Sequence, residues 1–427
     1  MEKLTRIAFL SEHASPVALL GGEDAGGQNV YVDEVSRNLA KLGYAVDVFT
    51  RRDSPDAPEV VAWAPNVRVI NLVAGPPHFL LKDDLWVFMP AFRDAFLDFV
   101  ERDEVRYDIL HSNFWMSGWV ATELQSRLNI PAVHIFHATG KTKRKHQGSV
   151  DTSPPERIEI ETQLIRAVQR VIAQCPSEWS ELVDDYGADP DNIVIIPSAV
   201  NIEVFHPVPK AEARQHMGIA QDAFVVVYVG RMLPRKDVRN VVRGVAQLIQ
   251  RCKTPATTVP PIQLLLVGGE TTDPQQDTTS EVEVLRRLVA ELGIVEHVTF
   301  VGKRQQDTLY SYYGVGDVAV TTPWYEPFGL TPLESMACGR PVIGSAVGGI
   351  TYTIAAGETG FLVPPRDPQA LAERLQQLLL EPERCTQMGQ AARLRVEHEF
   401  TWETVAKRTG ALYEAVIATH KQTVSTV

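Results

Sequence analysis

Short apolar runs alternate with amphipathic stretches along most of this chain, and the alternation happens twice. The first set of strand candidates is Arg6–Ser11, Ala45–Arg51, Val67–Val73, Asp108–His111, Ala132–His137, Arg170–Ala173 and Ile193–Pro197. After the Pro-containing connector Asn201–Pro209 the pattern resumes with Phe224–Val229, Gln263–Val267, Val298–Val301, Asp317–Thr321, Pro341–Gly344 and Gly360–Val363. Between strands, Val32, Val35, Leu39 and Leu42 recur at helical spacing, and Gly43 follows as a C-cap signal. Strands separated by helices build a mainly parallel sheet through right-handed crossovers. Two successive sets therefore predict an α/β protein of two doubly wound domains, spanning 1–205 and 206–403. From Pro368 to His420 the pattern is mostly helical, with Leu371, Leu375, Leu378 and Leu379 on one face and an interruption at Glu399–Trp402.

A length of 427 residues exceeds one ordinary core. A hydrophobic share of 44% with 22% charged residues is that of a soluble globular chain. The net charge of −12 disfavours a general nucleic-acid binder. No apolar run is long enough to span a bilayer, and the N-terminus has too short an apolar core for a secretory signal. Cys175, Cys252, Cys338 and Cys385 are scattered without CxxC spacing, so neither a disulfide framework nor a metal site is expected, and a reducing cytoplasm fits.

Open α/β sheets bind ligands beyond the carboxyl ends of their strands, and with two such domains a cleft between them is the expected site. The stretch Glu326-Pro-Phe-Gly-Leu-Thr-Pro-Leu-Glu334 sits at such a strand end and opens a helix, with Thr331 as expected N-cap and Pro332 at the first helical position. Unpaired amides and the positive end of a dipole there suit a phosphate. Two bracketing carboxylates suit the hydroxyls of a sugar. Together they describe a nucleotide-sugar pocket. Thr331-x-x-Glu334 is also a capping box, in which Glu334 satisfies the Thr331 amide; one carboxylate can do both.

Arg231 and Lys236 straddle a Pro-containing turn after the strand that opens the second half, placed to converge on one anion. The alternative is a solvated basic turn. Gly26 and Gly27 open the first helix without forming a dinucleotide fingerprint; they let backbone approach a phosphate, or they are simply a flexible turn. His137 closes a strand, where a satisfied polar cap is the plainer reading. Gly140-Lys-Thr-Lys-Arg-Lys-His-Gln-Gly148 carries four positive charges in a net acidic chain, which a phosphorylated ligand would explain better than simple solvation.

Gly230-Arg231 with Lys236, Val267-Gly-Gly269, Val301-Gly302 and the two-glutamate stretch, followed by Ala337-Cys-Gly-Arg-Pro-Val342, resemble the family-4 retaining glycosyltransferases. The resemblance runs from Ile7 to about Tyr413 and implies the GT-B architecture, two Rossmann-like domains facing across a cleft, with a last helix of about 404–427 packing back on the first domain. It implies that Arg231 and Lys236 hold the donor diphosphate, that Glu334 bonds the ribose, and that Glu326 with the backbone of Phe328, Gly329 and Leu330 holds the transferred sugar and its phosphate. The Gly26–Gly27 loop would close on the diphosphate, Asn29 would face the acceptor, and His137 would lie beside the transferred sugar. His137, Glu326, Arg231 and Lys236 are thus the expected catalytic group.

Two subgroups are similar in the segments around Asp24–Val32 and His111–Trp115: the sucrose-phosphate synthases and the transferases that glycosylate inositol phosphate in mycothiol synthesis. In both, Lys82 and Arg157 match residues that contact acceptor phosphate, and Lys141 of the basic run joins them as an expected acceptor contact. The second subgroup has Tyr where Phe114 stands and Thr where Ala138 stands. The expectation is transfer of a hexose from a nucleotide diphosphate sugar, first UDP-glucose, to fructose 6-phosphate, with an inositol phosphate as the alternative acceptor. No cofactor, metal or nucleic-acid partner is expected; the partners are small molecules. A nucleotide-sugar epimerase and a non-catalytic UDP-sugar-binding protein are the competing classes.

Overall fold

The computed structural model describes residues 4–17, 26–148, 151–253 and 259–425. The chain divides into two compact units, Met1–Ser198 with Trp402–Val427, and Ala199–Thr401. The breaks fall before the expected 205 and 403. Val200 is already tied to the end of the second unit, its amide donating to the Phe400 carbonyl at 3.0 Å and its backbone bridging Thr401.

The first unit holds β1 (Arg6–Leu10), β2 (Ala45–Arg51), β3 (Val60–Ala64), β4 (Val67–Leu72), β5 (Ile109–Asn113), β6 (Ala132–Ile135), β7 (Arg170–Ala173) and β8 (Ile193–Ile195). They form one sheet in the order β3-β4-β2-β1-β5-β6-β7-β8, parallel except for the edge strand β3. The central strands are buried along their length, as helices on both faces require. β6 ends two residues before the expected His137 because that residue takes a left-handed backbone, φ 59°, which no strand accommodates. The C-terminal helix, Trp402–Ser425, belongs to this unit. It lies on the helix Gly27–Lys41, and Gly410 admits the Tyr44 ring, since a Cβ there would stand 2.8 Å from the Tyr44 hydroxyl.

The second unit holds β9 (Phe224–Val229), β10 (Ile262–Val267), β11 (Val298–Gly302), β12 (Val318–Thr321), β13 (Val342–Ser345) and β14 (Gly360–Val363), all parallel in the order β11-β10-β9-β12-β13-β14. Its core face is set by the helix Val238–Cys252, which buries Val238, Val241, Val242, Val245, Leu248 and Ile249. At Gly244 a Cβ would meet Leu371 at 2.7 Å, so glycine lets that helix seat directly on the helix Pro368–Leu380. No helix among the described residues is long and apolar enough to cross a membrane.

Candidate active site

In the second unit the predicted residues gather at the carboxyl ends of β9 and β12. After β9 the chain turns at Gly230, φ 153°, and Gly268 must lack a side chain because a Cβ would lie 1.9 Å from the Gly230 carbonyl oxygen. Pro234 then starts the short turn Pro234–Lys236, and Asp237, φ 49°, redirects the chain into the next helix. Two bonds tie this turn to the loop after β12, and a third ties that loop to the end of β13. The Trp324 amide donates to the Arg235 carbonyl at 2.9 Å, the Thr322 hydroxyl to the Asp237 carbonyl at 3.2 Å, and the Ser345 hydroxyl to the Pro323 carbonyl at 2.6 Å.

This bracing puts Lys236 Nζ in hydrogen-bond contact with Glu326 Oε2, and Arg235 Nη1 3.9 Å from the same oxygen. Burial pushes the Glu326 carboxyl upward, but the charges of Lys236, Arg235 and Arg231 outweigh it and hold the group below the usual range. Burial lowers Lys236, with Glu326 opposing. The pair is therefore ionised, with each group holding the other. Arg231 differs: it is exposed, and among the described residues its guanidinium has no hydrogen bond or ion pair. Arg235 was not singled out in the sequence because the neighbouring Lys236 took the motif; its place in the same turn was the available signal.

The capping reading of Glu334 is corrected. The helix starts at Leu330 rather than after Thr331, because Gly329 at φ 86° turns the chain into it sooner and becomes the N-cap. Thr331 lies inside the helix, and Glu334 Oε2 instead accepts the Tyr313 hydroxyl at 2.9 Å. Burial raises the Glu334 carboxyl to about 7, against the Tyr313 bond and the Lys236 charge. No side chain caps Gly329, and Pro332 has no amide, so the helix start stays open. The backbone of Glu326–Phe328 is clamped by the turn after β13: the Gly349 amide donates to the Pro327 carbonyl at 3.1 Å, and a Cβ at Gly348 would stand 1.9 Å from the Glu326 carbonyl oxygen. Those two glycines are visible in the sequence as a pair three residues beyond a strand.

In the first unit several expected roles meet competing bonds. His137 is neutral, since burial and then the neighbouring His13 push its pKa down to about 3. Its Nε2 donates to Asn113 Oδ1 at 3.0 Å, because Asn113 Nδ2 already donates to the Leu10 carbonyl. Its Nδ1 accepts from Gln174 Nε2 at 3.2 Å. Both ring nitrogens are thus used, as in a satisfied cap, and a sugar hydroxyl would have to displace one of these bonds. Asn29 is corrected more firmly: it is 3% exposed, accepts the Gly26 amide at 3.0 Å and donates to the Ser15 carbonyl at 3.0 Å. It is a capping side chain held between its own helix start and the Ser15 carbonyl, not one presented to an acceptor. Gly26 itself is exposed and extended, and a Cβ there would meet nothing within 4 Å, so the fold does not demand glycine at that point. Residues 21–25 of the same loop lie outside the described residues.

Arg157 is buried, at 1% exposure. Its Nε pairs with Glu161 at 2.7 Å, Nη2 donates to the Ala138 carbonyl at 2.6 Å, and Nη1 to the Ser153 hydroxyl at 3.2 Å. The guanidinium also lies 4.9 Å over the Phe114 ring. Lys143, not Lys141, shares its surroundings, donating to Ser153 at 2.9 Å and pairing with Asp83 and Asp151 at 3.4 and 3.1 Å. Lys82 opens the short turn that carries Asp83. Lys141 is corrected: its Nζ donates to the Asp185 carbonyl and lies 4.7 Å over the Tyr186 ring. Residues two apart on a helix point about 200° apart, so Lys141 and Lys143 could not both face Arg157.

The family pattern described as "Glycosyltransferase Family 4" matches residues 25–204, and "Glycosyl transferases group 1" matches residues 209–395. A D-inositol 3-phosphate glycosyltransferase of Kribbella flavida is 36% identical over 420 residues, covering 97% of this chain and 97% of that protein. The protein of the same description from Corynebacterium efficiens is 34% identical over 414 residues, covering 96% and 95%. This chain belongs to the family 4 glycosyltransferases. Among solved structures, a sucrose-phosphate synthase from Thermosynechococcus elongatus superposes with a TM-score of 0.84 at 36% identity, covering 97% of this chain and 100% of that one. The glycosyltransferase is thus of the GT-B type and nucleotide-sugar dependent.

Proposed function

We propose that this glycosyltransferase moves glucose from UDP-glucose to fructose 6-phosphate, with retention at the anomeric carbon and without a metal. The observation that carries the donor half is the meeting of Arg235 and Lys236 with Glu326, beside the free Arg231 guanidinium and an uncapped helix start. A departing diphosphate gains negative charge as the anomeric C–O bond breaks. Arg231, Lys236 and the amides from Phe328 to Leu330 are preorganised donors for that charge. Lys236 then exchanges Glu326 for phosphate oxygens, which frees the carboxylate to accept sugar hydroxyls. The new bond forms from the acceptor hydroxyl to the same face of the anomeric carbon, and its proton passes to the leaving phosphate oxygen. His137, fully bonded and neutral, serves as a fixed wall rather than a base.

The acceptor half is supported by Lys143 and Arg157, which meet at the Ser153 hydroxyl, with Lys82 opening the turn of Asp83 that pairs with Lys143. Both subgroups that the chain is similar to, the D-inositol 3-phosphate glycosyltransferases and a sucrose-phosphate synthase, carry a phosphate in their names. Phe114 and Ala138 lack the two hydroxyls expected for an inositol phosphate, and Phe114 offers Arg157 only a ring face, which favours fructose 6-phosphate. The test is a donor-by-acceptor screen reading released nucleoside diphosphate. UDP-glucose with fructose 6-phosphate should give the highest kcat/KM; a higher value with an inositol phosphate reverses the order of acceptors, and release with no acceptor dependence contradicts transfer.

Glu334 gives this reading a pH signature. Its folded pKa of about 7 stands above the carboxylate value of 4.5, so the folded state holds a proton that the unfolded chain releases. The stabilising contribution is full below about pH 4.5 and is lost as pH rises through about 7. Glu334→Gln should therefore raise stability at pH 8 by roughly 1–3 kcal/mol and change it little at pH 4.5, while weakening UDP-glucose binding about tenfold at pH 8. Thermal melts at the two pH values and donor titration check both parts.

A further inference from the structure

The second unit contains a cavity of about 880 Å³ that none of the roles above uses. It lies at the amino ends of the strands, where Phe224 starts β9, Asp317 precedes β12 and Pro341 precedes β13. Arg231, Lys236 and Glu326 stand at the opposite, carboxyl edge of the same sheet. A six-residue strand such as β9 puts about 15–20 Å between the two edges.

The charge in its wall is unbalanced. Lys210, Arg214, Arg340 and Arg393 line it, against the carboxylates of Asp222 and Asp317, while Arg393 is answered from outside the wall by Glu397 at 2.6 Å. Asp317 is already shared, pairing with Lys210 at 2.8 Å and Arg214 at 2.7 Å. Arg340 donates from Nη2 to the Gly314 carbonyl at 2.7 Å, but its Nε is buried with no partner among the described residues. A buried guanidinium N–H without an acceptor is costly. Burial also lowers the Arg340 pKa, with Asp317 the largest charge opposing it. The rest of the wall is largely apolar, including Val208, Phe224, Leu378 and Leu379. Such a mixture suits a molecule with one anionic group and an apolar body. The turn Cys338–Arg340, which forms part of the wall, ends the helix that carries Glu334.

We propose that this cavity is a second ligand site, taking a small organic anion whose charge meets Arg340 and whose apolar body fills the space between Phe224 and Leu378–Leu379. It is independent of the donor and acceptor assignments. The probe is 8-anilinonaphthalene-1-sulfonate, one sulfonate on an aromatic body, titrated by fluorescence into the full-length folded protein. Saturable binding at one site is expected, and saturating UDP should not displace it. Thr386→Trp and Gln390→Trp, two exposed positions in the cavity wall, should each weaken the probe at least tenfold and leave UDP affinity unchanged. Arg340→Gln should weaken it as well. Displacement of the probe by UDP, absence of saturable binding, wild-type affinity in a folded Arg340→Gln variant, or wild-type affinity in both tryptophan variants overturns the proposal. Thermal melts establish that each variant is folded, and the exposed tryptophan positions keep the test decisive if Arg340→Gln is not.

Discussion

Lys236→Ala should lower kcat for glycosyl transfer by at least about 10²–10³-fold while the protein stays folded. The first half follows from the turn that carries the residue: Pro234 and Asp237 set its course, and the Trp324 amide locks it to the loop of Glu326. The ammonium is therefore delivered to one place, and no other lysine lies in that turn to replace it. The second half follows from what remains. Removing one partner of a buried pair typically costs about 3–5 kcal/mol because the other charge is stranded. Glu326 would not be stranded, since Arg235 stands 3.9 Å from the same oxygen and Arg231 also lowers its pKa. The stability loss should thus stay near the low end of that range, within about 3 kcal/mol. Released nucleoside diphosphate measures the first effect and a denaturant melt the second. Turnover within a few-fold of wild type would remove Lys236 from the chemistry.

Arg157→Ala should behave in the opposite way, with a large loss of stability as its first effect. Glu161 is fully buried and accepts from Arg157, from the Gly140 amide and from the Tyr186 hydroxyl. Deleting the guanidinium leaves a buried carboxylate with neutral donors only, at a cost of about 3–5 kcal/mol. The hole cannot close easily, because Gly140 already packs against the arginine stem, where a Cβ would sit 3.0 Å from Arg157 Nε. The double variant Arg157→Met with Glu161→Gln should recover most of the loss, since no charge is then stranded. A melt of both proteins decides it. If the single variant is as stable as wild type, the ion pair is not structural. The stable double variant also allows the acceptor role to be read, as a KM for fructose 6-phosphate that rises far more than the KM for UDP-glucose.

The two-sheet plan was legible because parallel strands buried on both faces read as apolar runs, and each expected strand has a counterpart in the sheets. β3 was not expected: Val60–Ala64 is an edge strand with mostly exposed or half-buried side chains, so no run of buried residues marks it. Element ends shifted where one residue adopts a left-handed backbone, as at His137 and Gly329. Composition alone does not announce that for a histidine. In the second unit the cations and Glu326 lie in two turns joined by the Trp324–Arg235 backbone bond and the Thr322 hydroxyl, and short turns carry side chains where their sequence places them. In the first unit, Asn29, Lys141 and Arg157 each found a partner inside the protein. A partner distant in sequence, such as Asp185 for Lys141, leaves no local trace.

The most direct measurement is a crystal structure of the enzyme with UDP bound. A diphosphate within hydrogen-bond reach of both Arg231 and Lys236, at the open start of the helix Leu330–Ala337 and with the Lys236–Glu326 contact released, is the expected result. Uridine diphosphate held elsewhere, with that contact intact, would contradict it.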